Sequence, residues 1–232
     1  GGRRDAKTAT EAERAGLYVK LALAHASLGQ TPEATKVMQD AMREFSGTAQ
    51  QAQMVLVNAE LAVKRGDVQA ALIQLKGVPA DSRWYVKARV AAAHLHLEHR
   101  RDRARFLRCF EELAAGRHRS VATLALKAEA HMRLQDPDSA IAAYQEAIKL
   151  DSTDAEMAGK IGQAYVMKHD FISAAAFYEE AIRAQPARMP LRLSLADLYR
   201  SMGRADKALA TLEGIHRAAG GEGAESLEAL ML

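Results

Sequence analysis

Residues Ala140–Ile148 read AIAAYQEAI, and residues Ala174–Ile182 read AAAFYEEAI, thirty-four positions later with six of nine residues unchanged. A fixed internal period of this length is the mark of stacked supersecondary units, none of which buries its apolar face alone. With Ala140 and Ala174 in register, Ala128 aligns with Gly162, His131 with Tyr165, Tyr144 with Tyr178 and Ala147 with Ala181. One more step of thirty-four reaches Ala196, Tyr199, Ala208, Leu212 and Ile215.

Counted from Val121, Ala155 and Met189, each unit carries a small residue at position 8, a bulky one at 11, Ala at 20, an aromatic or Leu at 24 and a small or aliphatic residue at 27. Spacings of three and four put each set on one face of a helix, so every unit reads as two amphipathic helices. Small residues at 8 and 20 let the two backbones approach, and the bulky ones fill the space beside them. The predicted repeat core is Ala128, Tyr144, Ala147, Gly162, Tyr165, Ala174, Tyr178, Ala181, Ala196, Tyr199 and Ala208, with Gly162 facing Ala174.

Toward the N-terminus, Ala34 anchors a unit beginning at Ala15, and Ala71 anchors another with Ala59, Ala62, Leu75 and Val78. The stretch from Trp84 to Leu113 fits the pattern only loosely. Asp136-Pro137 and Thr31-Pro32 each offer a capping oxygen before a proline at the first helical position, where no N–H is missed. Gly29, Gly66 and Gly203 all fall at position 15, between the paired helices, where a left-handed residue is wanted. Longer connectors are expected at Gly47–Gln51 and Ala115–Arg119. The organisation that follows is a flexible lead over 1–14, units near 15–48, 52–83, 84–114, 121–154, 155–188 and 189–219, and a Gly-rich link over 220–232 that starts a truncated helix. The predicted fold is all-α, a right-handed superhelix of about six helical pairs of the tetratricopeptide type, an α-solenoid.

Composition agrees with that class. Hydrophobic residues make up 49% of the chain but aromatics only 5%, so Ala and Leu fill the interior and little material is left for strands. The net charge of +3 is a small surplus of 32 basic over 29 acidic residues, which does not point to nucleic acid. A single cysteine, Cys109, excludes an internal disulfide framework and suits a reducing compartment. With no apolar run approaching membrane-spanning length and no signal-peptide core in the first residues, a soluble intracellular chain without membrane insertion is expected. Gly1 and Gly2 in place of an initiator Met suggest a piece of something longer.

No catalytic motif is present, and no cofactor or catalytic residue is assigned. Gly159-Lys160 resembles the end of a phosphate loop, but Ile161 replaces the hydroxyl residue and the register puts it inside a helix. His94, His96 and His99 invite a metal reading. His94 and His96 point about 160° apart around a helix, so three ligands would not converge, and half-buried polar histidines are the plainer reading. Cys109 reads as a buried thiol beside Phe106 and Phe110 rather than a redox group. The densest charge feature is HRRDRARFLR, with Arg100, Arg101, Arg103, Arg105 and Arg108. Such a run is commonly a solvated helix face; the sharper reading is a surface for an acidic partner. The helix positions that form a carboxylate clamp in chaperone-binding repeat proteins hold Val19, Leu23, Ala125, Glu129, Gly159, Gln163, Leu193 and Asp197 here, so that clamp is absent.

Several stretches go beyond the generic repeat: TPEATKVMQDAMREFSGT (Thr31–Thr48), VNAELAVKRGDVQAAL (Val57–Leu72), RCFEEL (Arg108–Leu113), HMRLQDPDSAIAAYQEAI (His131–Ile148) and GKIGQAYVMKHDF (Gly159–Phe171). Together they resemble the central region of the tetratricopeptide repeat protein 21 family, the intraflagellar transport 139 family, over roughly residues 15 to 216. The likeness includes the non-repeat SGT connector and the arginine-rich unit. It implies a non-catalytic scaffold of the cilium, at axoneme and basal body, within intraflagellar transport complex A. Its partners would be other complex A subunits and ciliary membrane cargo or adaptors, in retrograde transport and in moving membrane cargo into the cilium. A generic repeat adaptor of another complex and a helical regulatory part of an enzyme are the alternatives. The family offers no short ligand motif to carry over.

Overall fold

The computed structural model describes residues 2–151, 155–186 and 188–218. Among them are twelve α-helices and no strand: α1 (Gly2–Ser27), α2 (Thr31–Glu44), α3 (Gln51–Lys64), α4 (Val68–Lys76), α5 (Tyr85–Arg100), α6 (Arg103–Ala114), α7 (Val121–Arg133), α8 (Pro137–Leu150), α9 (Ala155–Met167), α10 (Phe171–Ala184), α11 (Met189–Ser201) and α12 (Ala205–Ala218). They form six helical hairpins in two compact units, residues 1–112 and 113–232. In the first unit α1 packs on α2, α2 on α3, α3 on α4 and α4 on α5, and in the second each of α7 to α11 packs on the helix that follows it.

The hairpins close where the pattern brings two small side chains together. Ala22 and Ala34, and Ala59 and Ala71, are almost fully buried in the first unit, as are Ala128 and Ala140, and Ala196 and Ala208, in the second. Tyr144, Ala147, Gly162, Ala174, Tyr178 and Tyr199 are buried too, whereas Tyr165 and Ala181 are only half-buried and pack against the cores from their edges. A Cβ on Gly162 would meet the ring of Tyr178 first, because that ring lies across the hairpin over the glycine.

Five of the six turns inside the hairpins are built the same way. The residue at position 15 takes a positive φ: Gly29 (75°), Gly66 (83°) and Gly203 (72°), but also Gln135 (62°) and His169 (61°). The next N–H then reaches back five residues: Gln30 to His25 O (2.9 Å), Asp67 to Ala62 O (2.9 Å), Asp136 to His131 O (3.0 Å), Asp170 to Tyr165 O (3.0 Å) and Arg204 to Tyr199 O (2.8 Å). This is the six-to-one bond that satisfies a helix's last carbonyls. Where the following residue is Asp, its carboxylate immediately caps the second helix, accepting from Ala70 N (2.9 Å), Ser139 N (3.2 Å) and Ser173 N (3.0 Å) at Asp67, Asp136 and Asp170.

Three features differ from the sequence reading. α1 begins at Gly2, so the residues expected as a lead over 1–14 continue into that helix. Thr31 is not a cap: Gln30 holds the N-cap position without a side-chain bond, and Thr31 is the first helical residue, its N–H taken by Gly29 O at 2.9 Å. The unit placed near 84–114 has its turn at Arg101 (φ 52°), which sets its count from Lys87 and puts His94 at position 8 and Phe106 at position 20. Both expected connectors are present, the second as a 3-10 turn over Gly116–His118. The Gly-rich link and truncated helix expected over 220–232 lie outside the described residues.

The displaced unit has a steric cause. Where other hairpins place small residues at the crossing, this one sets the His94 ring 6.4 Å from that of Phe106, with Phe110 a further 5.1 Å away, edge to face. Rings at the crossing point prevent the close approach that small residues allow. α5 is also longer, 16 residues against 13 in α7, α9 and α11. Its closing bond spans one residue more than the others: Asp102 N donates to His96 O at 2.9 Å.

Candidate functional site

That irregular turn carries the arginine run. Arg100 ends α5, Arg101 makes the left-handed bend, Arg103 opens α6, and Arg105 and Arg108 follow along it; all five are exposed. Asp102 caps α6 by accepting from Arg105 N at 2.9 Å, and its other oxygen lies 3.3 Å from Arg105 Nε. Arg108 Nε stands 3.4 Å from Glu112, a carboxylate also approached by the more buried Arg89 at 3.8 Å. Arg100 donates to Gln69 Oε1 on α4. The structure thus gathers the five guanidinium groups around one bend but engages Arg100, Arg105 and Arg108 locally. The backbone N–H of Arg101 donates to His96 O, but its guanidinium has no hydrogen bond or ion pair among the described residues.

Behind the bend the environment turns apolar. Cys109 is buried beside Phe106 and Phe110, and burial, partly offset by Arg89, pushes its thiol above the ordinary range. His96 is half-buried with an unpartnered buried Nδ1, and its pKa is lowered by burial and then by Arg105. His94 packs on Phe106 and His99 is exposed, so the three histidines face different surroundings. Among the described residues no group of three or more His, Cys, Asp or Glu side chains could hold a metal ion. No described helix is long and apolar enough to cross a membrane. The bend therefore presents positive charge and hydrogen-bond donors, not a nucleophile paired with a base.

Other surfaces are more self-contained. On α7 and α9 Lys160 donates to Glu129, one of the two charged residues at the clamp positions, and lies 3.4 Å from Glu156. An apolar recess of about 390 Å³ opens between α8, α9 and α10, floored by Ala158, Ile161 and Phe177 and edged by Lys149 and Glu180. Sequence reading missed it, because Ile161 and Phe177 carry the same pattern as core residues and only packing leaves a gap beside them.

The hairpin architecture defines a helical-repeat protein of the tetratricopeptide class, and a family model described as "Tetratricopeptide repeat" matches residues 121–154. Likeness to solved structures agrees on the fold. A tetratricopeptide repeat protein from Parabacteroides merdae superposes with a TM-score of 0.55 at 16% identity, covering 88% of this chain and 80% of that one. The C-terminal part of a repeat protein from Cytophaga hutchinsonii gives 0.57 at 11% identity, covering 90% and 83%.

The chain belongs to the tetratricopeptide repeat protein 21 family. Its "Tetratricopeptide repeat protein 21 ARM repeat" model matches residues 2–113, spanning α1 to α6, and its "Tetratricopeptide repeat protein 21 forth ARM domain" model matches residues 157–231. The chain is similar to tetratricopeptide repeat protein 21B of Homo sapiens, 33% identical over 211 residues, and to tetratricopeptide repeat protein 21A of Mus musculus, 36% identical over 172. Those alignments cover 90% and 73% of this chain but only 16% and 13% of the relatives, so it spans a small part of their length.

Proposed function

We propose that this chain is a non-catalytic scaffold segment of an intraflagellar transport complex A subunit, working in the cilium in retrograde transport and in moving membrane cargo into it. Its partners on this reading are other complex A subunits and ciliary membrane cargo or adaptors. The observation that carries the reading is the match to the tetratricopeptide repeat protein 21 family across both units, which takes in the irregular α5–α6 hairpin as well as the regular repeats. Stacked hairpins give a scaffold its use: rigid helices present long surfaces on which side chains can vary without disturbing the hairpin crossings.

The test is to express the full-length protein containing this segment, tagged, in ciliated cells. Recovery of complex A subunits with it and signal along the axoneme are expected. A protein that stays outside cilia and brings down a different complex would replace this reading with that of a generic repeat adaptor. A catalytic activity in the full-length protein that changes when this segment is deleted would replace it with a regulatory part of an enzyme.

A further inference from the structure

The arginine bend differs from the other five hairpin turns in ways that are independent of one another. Its closing bond is one residue longer, its crossing point holds rings instead of alanines, and its left-handed residue is an arginine. A left-handed conformation favours Gly, as at Gly29, Gly66 and Gly203, and Arg101, like Gln135 and His169, holds a side chain there at a conformational cost. The bend is nevertheless well fixed, by Asp102 N on His96 O and by the Asp102 cap on Arg105 N. Arg101 is thus a guanidinium projected from a rigid bend, beside Arg100, Arg103 and Arg105, with no hydrogen-bond or ion-pair partner among the described residues.

The chemistry around it selects the class of partner. A surface built to bind lipid would pair its cations with exposed large apolar side chains. Among the described residues no exposed large hydrophobic lies on α5 or α6. Single-stranded nucleic acid would need aromatic rings as platforms. Here the nearest, Phe106 and Phe110, are 1% and 4% exposed. What the bend does offer is planar donor forks without a single lysine among them, a geometry that matches carboxylates two bonds at a time.

We propose that the α5–α6 bend is a docking surface for an acidic segment of a partner protein, with Arg101 as the arginine that takes a carboxylate directly and its neighbours supplying the field. The inference rests on the scaffold reading above, but its test uses purified components and no ciliary complex, so the two can fail separately.

The probe is a fluorescent short peptide of alternating Glu and Gly, compared by anisotropy with the same peptide carrying Gln for Glu. The chain should prefer the Glu peptide, and added salt should weaken that binding. Arg101→Gly suits the bend's backbone, so it should keep helicity and melting while weakening the Glu peptide by about three- to tenfold. Arg101→Lys should fall between, keeping the charge and losing the fork. Arg43→Gln on α2, which removes an exposed arginine paired with Asp40, should leave binding unchanged. Equal affinity for the two peptides, or an Arg101→Gly variant that binds as the parent does, would overturn the proposal. So would binding to phosphatidylserine vesicles that the Glu peptide does not displace, since that would make the surface a lipid site.

Discussion

The ring of Tyr178 lies against the Cα of Gly162 so closely that a Cβ built there would stand 2.2 Å from Cζ and 2.5 Å from Cε1. Tyr178 is 2% exposed, and its hydroxyl donates to Gly159 O at 3.3 Å, so the ring is held from both ends. Gly162→Ala should therefore destabilise the protein by about 1–3 kcal/mol, overriding the gain of about 1 kcal/mol that Ala brings to an open helix position. Adding Tyr178→Leu should recover part of the loss, because the obstacle is the ring. Thermal melting of the two single variants and the double decides it; a Gly162→Ala midpoint at or above the parent's would show that the ring yields.

The left-handed turns make a paired prediction of opposite sign. A Cβ on Gly66 or Gly203 would meet nothing within 4 Å, so any cost of Ala there belongs to the backbone, with φ at 83° and 72°. Gly66→Ala and Gly203→Ala should each lose about 1 kcal/mol in urea unfolding. Gln135→Gly and His169→Gly, starting from φ of 62° and 61°, should be neutral or gain about 0.5 kcal/mol. Equal effects from all four would mean that these bends do not impose the conformation.

The aspartate caps link stability to pH. The Ser139 hydroxyl bonded to Asp136, and the Ser173 hydroxyl bonded to Asp170, hold both carboxyl groups below the ordinary aspartate range. A carboxylate with a lowered folded-state pKa contributes stability that is present above the unfolded-state value of about 4, and that is lost as pH falls through the folded value. The melting midpoint should drop on acidification from pH 5 to pH 3, and an Asp136→Asn, Asp170→Asn double variant should drop less. Parallel curves for parent and variant would place the acid sensitivity elsewhere.

Cys109 should behave as a structural thiol. It is 4% exposed and held above its usual pKa by burial, so little thiolate is present and reagent has no path to it in the folded chain. Iodoacetamide at neutral pH should label it only as fast as the chain opens, with a rate that climbs steeply in urea. Prompt labelling of native protein would contradict that burial.

The sequence alone determined that the chain is a stack of helical hairpins, because a side chain that must be small where two helices cross recurs at a period any alignment of the chain with itself detects. Ala128, Ala140, Ala174 and Ala196 could be recognised without coordinates, as could Gly29, Gly66 and Gly203, since crowding and a positive φ each restrict the residue type. The caps at Asp67 and Asp170 were legible in principle, for each follows its left-handed residue as Asp136 does, but without a proline behind them they passed unnoticed. Tertiary structure alone decided the rest. The third hairpin fits the pattern only loosely in sequence because His94 and Phe106 occupy the positions where it looks for small residues, and only the left-handed Arg101 shows that the count still holds. Which arginine projects and which are engaged was equally unreadable, since Arg101 differs from Arg105 in a backbone angle and a neighbouring carboxylate. Periodicity reports which residues share a face of one helix; what they meet is set by the helix opposite, whose distance depends on the side chains between.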